Sequence, residues 1–87
     1  MAEFQLAPTF LKQLVELNPI LSAQERRTLD AALAELASNP EHPGRLASHY
    51  GPDGPDFLFR RDPFLIGFSV TSRPRRVIFM SVFRRSW

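Results

Sequence analysis

The chain is expected to fold as an α+β domain, with an N-terminal helical hairpin packed on one face of a small antiparallel β-sheet in the order β-α-α-β-β-β. Three observations predict this. Helical spacing is confined to roughly the first 38 residues, a capping box separates two helical segments, and two β-rich apolar runs fill the last third. A length of 87 residues and a hydrophobic share of 44% suit one modest core, so residues 1–87 read as a single domain.

Each element has its own local signal. Glu3 to Leu6 reads as a short first strand with Phe4 and Leu6 on one face, before Pro8 and Thr9 open a helix. Phe10, Leu14 and Leu17, joined by Leu11, follow helical spacing, and Asn18-Pro19 stops the helix because proline disfavours the α region in the residue before it. Ser22 and Glu25 then form an S-x-x-E capping box that opens a second helix running to about Ser38. Its expected buried stripe is Leu29, Ala32, Leu33, Leu36 and Ala37, with Glu25, Arg26, Asp30 and Glu35 facing water.

From Asn39 to Pro55 the composition turns to Pro, Gly, Asn, His and Asp, which reads as loop. Phe57 to Arg61 begins a strand, Asp62-Pro63 turns it, and Phe64 to Thr71 and Arg76 to Arg85 form a hairpin around Ser72-Arg73-Pro74-Arg75. Period 2 puts Phe64, Ile66, Phe68 and Val70 on one face and Leu65, Gly67, Ser69 and Thr71 on the other. Unbroken alternation in the last strand groups Val77, Phe79, Ser81, Phe83 and Arg85 against Ile78, Met80, Val82 and Arg84. Neither set is properly polar, so the second sheet face is either central or awaits a partner.

Composition removes several chemistries. Without cysteine there is no disulfide, thiolate nucleophile or thiolate metal site, and neither His42 nor His49 has a second ligand at metal spacing. No Gly-rich phosphate loop or serine-nucleophile motif is present, and no cofactor is implied. The start lacks a signal-peptide pattern, and no apolar run approaches the roughly 20 residues needed to cross a bilayer, so a soluble cytoplasmic protein without a membrane partner is expected.

Charge is divided unevenly. Residues 1–44 carry three basic and six acidic side chains, a net of −3, whereas residues 45–87 carry eight arginines against three aspartates, a net of +5. Ten of the eleven basic residues are arginine, the side chain that grips phosphate in a planar fork and stacks on bases. The arginines read either as a solubilising surface or as an anion-binding face.

The element order, with PTFLKQLVEL opening the first helix, ALAELASNPEHPGRL ending the second, and the strands FLFRR, FLIGFSV and RRVIFMSVFRR, resembles the RelE/ParE superfamily of small toxins from bacterial type II toxin-antitoxin modules. The resemblance covers nearly the whole chain and rests on pattern rather than on one motif. It implies a half-open sheet whose uncovered concave face cuts mRNA on the ribosome by attack of a ribose 2′-hydroxyl on the next phosphate. A cognate antitoxin would wrap the toxin with a helix and an extended segment, covering the apolar second face. The free toxin is then expected to be poorly soluble or a homodimer.

Carried over residue by residue, the resemblance gives Arg60 or Arg61 as the arginine of the corresponding strand and Arg84 as the arginine closing the last one, all three candidate catalytic residues. Arg45, His49, Tyr50, Arg85 and Trp87 are candidate substrate-binding residues, and Arg45, Arg60, Arg61, Arg84 and Arg85 are expected to converge on one groove. Arginine suits stabilisation of a crowded phosphate but is too basic to move protons. The chain departs from the family where Leu65 stands in place of a second arginine and where FRRSW replaces a terminal His and Tyr. Those departures keep two alternatives open: a DNA gyrase inhibitor of the ParE branch, and an inactive toxin-like binding module. Each candidate also has a plainer role, His49 as a solvated turn residue, Tyr50 as packing, Arg84 and Arg85 snorkelling at the core edge, and Trp87 as a core plug.

Overall fold

The computed structural model describes residues 3–42, 44–51, 54–72 and 75–85, with side chains described for 4–42, 44–46, 56–71 and 76–85. Strand β1 (Glu3–Leu6) leads through Ala7 into helix α1 (Pro8–Leu17), whose first position is a proline that needs no hydrogen-bond partner. A single 3-10 turn over Asn18–Ile20 follows where proline ends the helix. Helix α2 (Ala23–Ser38) opens on the expected capping box: Ser22 Oγ accepts from the Glu25 N–H at 3.1 Å, and Glu25 Oε1 accepts from the Ser22 N–H at 3.0 Å. Four strands complete the chain: β2 (Leu46–Gly51), β3 (Gly54–Arg61), β4 (Phe64–Ser72) and β5 (Arg75–Arg84).

The fold class is the expected one, helices on one face of a sheet, but the sheet is larger and mixed. Its five strands run in the order β1-β5-β4-β3-β2. The β2–β3, β3–β4 and β4–β5 pairs are antiparallel, whereas β1 joins the free edge of β5 in parallel. The stretch read as loop contains β2, which lacks a strong strand signal because it is an edge strand with Gly51 at its end, held by hydrogen bonds to β3.

One continuous core lies between the helices and the covered sheet face. Phe10 of α1 and Leu29, Ala32, Leu36 and Ala37 of α2 pack over Phe57, Phe59, Phe64, Ile66, Phe68, Val77, Phe79 and Val82. Each such phenylalanine contributes about 1.5–3 kcal/mol by leaving water, so the aromatic row is the main cohesive element. Its rings touch directly: Phe79 lies 5.7 Å from Phe10 and 6.0 Å from Phe4, and Phe57 lies 5.5 Å from Phe68. Leu33 is only partly buried, and Leu11, expected to join the α1 stripe, points outward with Val15. The helices leave an apolar cleft of about 340 Å³ between them, floored by Phe10 and Phe79 and walled by Phe4, Leu14 and Leu33. Among the described residues, no helix is long and apolar enough to cross a membrane.

Candidate functional site

A break in alternation at Met80 decides which side chains of β5 reach the uncovered face. Phe68 pairs with Phe79 but Gly67 pairs with Ser81, so Met80 is the extra residue of a β-bulge. From that point the two faces exchange. Val82 and Arg84 turn toward the helices, and Ser81, Phe83 and Arg85 turn to the open side, the reverse of unbroken alternation for all five. Gln13 of α1 supports the bulge where β1 has ended: its Oε1 accepts from the Val82 N–H at 2.9 Å. On the open side Gly67 makes room for its partner, since a Cβ there would lie 2.5 Å from Ser81 Oγ.

The open face is then read in rows across the strands. One row is Arg60, Leu65 and Phe83; the next is Leu46, Leu58, Gly67 and Ser81; a third is Asp56, Ser69 and Ile78, with His49 in register beside Asp56. Arg60 is exposed, and its Nε donates to Asp62 Oδ1 at 2.7 Å across the turn. The Arg85 N–H donates to the Pro63 carbonyl at 2.7 Å, which extends the β4–β5 ladder and puts Arg85 opposite in sense to Arg84. Leu46 and Phe83 are also exposed.

The covered face carries a matching row at the same end of the sheet, Arg61, Phe64 and Arg84. Both arginines bind acids of α2. Arg61 Nη2 lies 2.7 Å from Glu35 Oε2, with its guanidinium 5.1 Å from the Phe59 ring centre. Arg84 grips Glu25 Oε2 through Nη2 at 2.8 Å and Nε at 3.0 Å. Glu25 thereby serves the helix cap with one oxygen and Arg84 with the other. The Ser22 N–H first, and the Arg84 guanidinium after it, hold its carboxyl below the ordinary glutamate range.

The expected convergence of five arginines on one groove is therefore not met. Arg60 and Arg85 lie on the open face, Arg61 and Arg84 on the helix side, and Arg45 is occupied elsewhere. Arg45 donates from Nη1 to the Pro40 carbonyl at 2.8 Å and covers the Phe57 ring at 4.0 Å, so it pins the segment after α2 to β3. The physical reason is period 2: adjacent arginines on a strand must face opposite ways, and Arg60-Arg61 and Arg84-Arg85 are each divided by it. His49 pairs with Asp56 and Tyr50 with Pro55 along the backbone of β2; their side chains, and Trp87 entirely, lie outside the described residues.

Three residues that sequence reasoning did not single out belong to the site or its support. Phe83 and Asp56 stand on the open face, and Gln13 holds the bulge that aims Phe83. No periodic signal marks Gln13 because it sits 69 positions from its partner. His42 is fixed on the other side, its Nδ1 accepting from the Gly44 N–H at 2.9 Å and its ring edge-on to Phe59.

No family model matches this chain, and no curated protein matches it by sequence. Solved structures match it by shape. A chain of the archaeal RelE–RelB complex from Pyrococcus horikoshii superposes with a TM-score of 0.75 at 13% identity, covering 98% of this chain and 96% of that one. A chain of the RelBE2 toxin–antitoxin complex from Mycobacterium tuberculosis gives 0.73 at 15% identity, with 97% and 98% covered. The chain thus has, over nearly its whole length, the fold found in RelE–RelB type toxin–antitoxin complexes.

Proposed function

We propose that this chain is the toxin of a type II toxin-antitoxin module and acts in the cytoplasm as a ribosome-dependent mRNA endoribonuclease, neutralised by a cognate antitoxin. The observation that carries the reading is the pair Arg60 and Arg85 on the uncovered face of a sheet whose fold recurs in toxin–antitoxin complexes. In the reaction a ribose 2′-oxygen loses its proton and bonds to the adjacent phosphorus, the bond to the 5′-oxygen breaks, and that oxygen takes a proton. A guanidinium group suits the extra negative charge on the phosphate in the transition state. Arg60 already holds a carboxylate at an exposed site, a weak pairing that a phosphate can replace.

Proton transfer is less well served. Asp56 is an acidic side chain on the open face, four positions along the strand from Arg60, roughly 13 Å between backbones. Among the described residues the open face supplies cations without a paired base and acid, which fits a reaction whose geometry is completed by the ribosome. The apolar cleft between the helices and the outward Leu11 and Val15 are surfaces that an antitoxin would cover.

The test is induced expression in a bacterial host with mapping of mRNA 5′ ends. Growth arrest with cuts at a fixed place within codons is expected, relieved by co-expressing the antitoxin. Arrest with intact mRNA would overturn the ribonuclease in favour of gyrase poisoning, and unhindered growth would leave only a binding module.

A further inference from the structure

The bulge at Met80 puts an aromatic ring on the open face. Unbroken alternation would send Phe83 inward and Val82 outward; instead Val82 is 1% exposed and Phe83 47%. The arrangement buries the smaller valine and leaves the larger apolar ring in water. Bulges recur where a side chain must be re-aimed. Here the re-aimed group stands in one row with Arg60 across Leu65, and Arg85 follows it by two residues on the same face. Strand spacing sets the Arg60 and Phe83 backbones roughly 10 Å apart and those of Phe83 and Arg85 roughly 7 Å, so long cationic side chains flank the ring on two sides.

We propose that Phe83 is a nucleobase platform, and that its occupant is a single-stranded segment of RNA with one base stacked on the ring and flanking phosphates on Arg60 and Arg85. An exposed ring between cations is the arrangement by which proteins hold unpaired strands, and single-stranded segments are where bases are free to splay onto it. Charge decides between occupants: Arg60, in an exposed and replaceable pairing with Asp62, and Arg85 share the face with the ring and complement a polyanion. The proposal rests on the ribonuclease reading and adds to it the residue that receives the base.

The experiment is cleavage of a defined mRNA on programmed bacterial ribosomes by the wild type and by Phe83→Ala, Phe83→Leu and Phe83→Trp, with thermal melts to confirm folding. Stacking is worth about 1–3 kcal/mol per base, so Ala and Leu are expected to lose roughly 5- to 150-fold in kcat/KM while Trp keeps the activity. Because the site is exposed, Leu is the variant expected to fold normally whatever Ala does. If Leu cuts as well as the wild type, the ring does not stack; a loss confined to Ala then indicates apolar contact with a protein surface. Wild-type levels in both Ala and Leu overturn the platform and leave the ribonuclease intact. A wild type that cuts nothing removes the parent reading and the platform together.

Discussion

Adjacent arginines in this chain have different work because a strand sends neighbours to opposite faces. Arg60→Ala should leave stability nearly unchanged and lower mRNA cleavage on the order of 100-fold, as loss of a positioned charge at a transition state does. Arg61→Ala removes an exposed ion pair to Glu35 and should cost about 0.5 kcal/mol, roughly 2–4 °C in melting midpoint, with cleavage retained. Circular dichroism melts beside the ribosome assay separate the two, and equal loss of cleavage in both would defeat the division by face. Glu25 gives a second residue-level prediction. Its folded-state pKa is lowered, by the Ser22 N–H first and Arg84 next, so the stability it adds is present above the ordinary carboxylate pKa and is lost as pH falls through the lowered value. Midpoints measured across that acid range should fall less for Glu25→Gln than for the wild type.

Among the elements, β5 depends on α1 as much as on its neighbouring strands. β1 ends at Leu6, and Gln13 continues the ladder to Val82 just beyond the bulge. Gln13→Leu keeps the side chain's bulk but leaves a buried N–H unmatched, so it should cost about 1–3 kcal/mol in denaturant unfolding. The bulge is also the reason that face assignments failed beyond Phe79. One extra residue exchanges the faces of everything after it, and Met80 carries no glycine or proline to announce it. By contrast the starts of α1 and α2 and the stop of α1 were readable, since Pro8, the Asn18-Pro19 stop and the Ser22–Glu25 box act within a turn of the chain.

Across the whole molecule, the acidic helical half lies on one side of the sheet and arginines line the end of the other. Arg61 and Arg84 bind the layers together, whereas Arg60, paired with Asp62 at an exposed site, and Arg85 lie on the open face. If the open face engages RNA through those two charges, the logarithm of affinity for programmed ribosomes should fall with the logarithm of salt by about 1.4 more in the wild type than in the Arg60→Ala, Arg85→Ala double variant. Parallel slopes would mean that neither arginine meets phosphate. The exposed Leu46 and Phe83 add an apolar margin to this face, which an antitoxin or a second copy of the chain would also find.

Local signals in the sequence determined the two helices, their ends, the β4–β5 hairpin, the core face of β4 and the bias of arginine toward the second half. They could do so because caps, proline stops and short periods depend only on residues a few positions apart. Tertiary structure alone decided the parallel docking of β1 on β5, the edge strand β2, the bulge at Met80, and hence which arginines meet solvent and which clamp α2. Each of those depends on register between segments distant in the chain, and a shift of a single residue in register moves a side chain from core to surface.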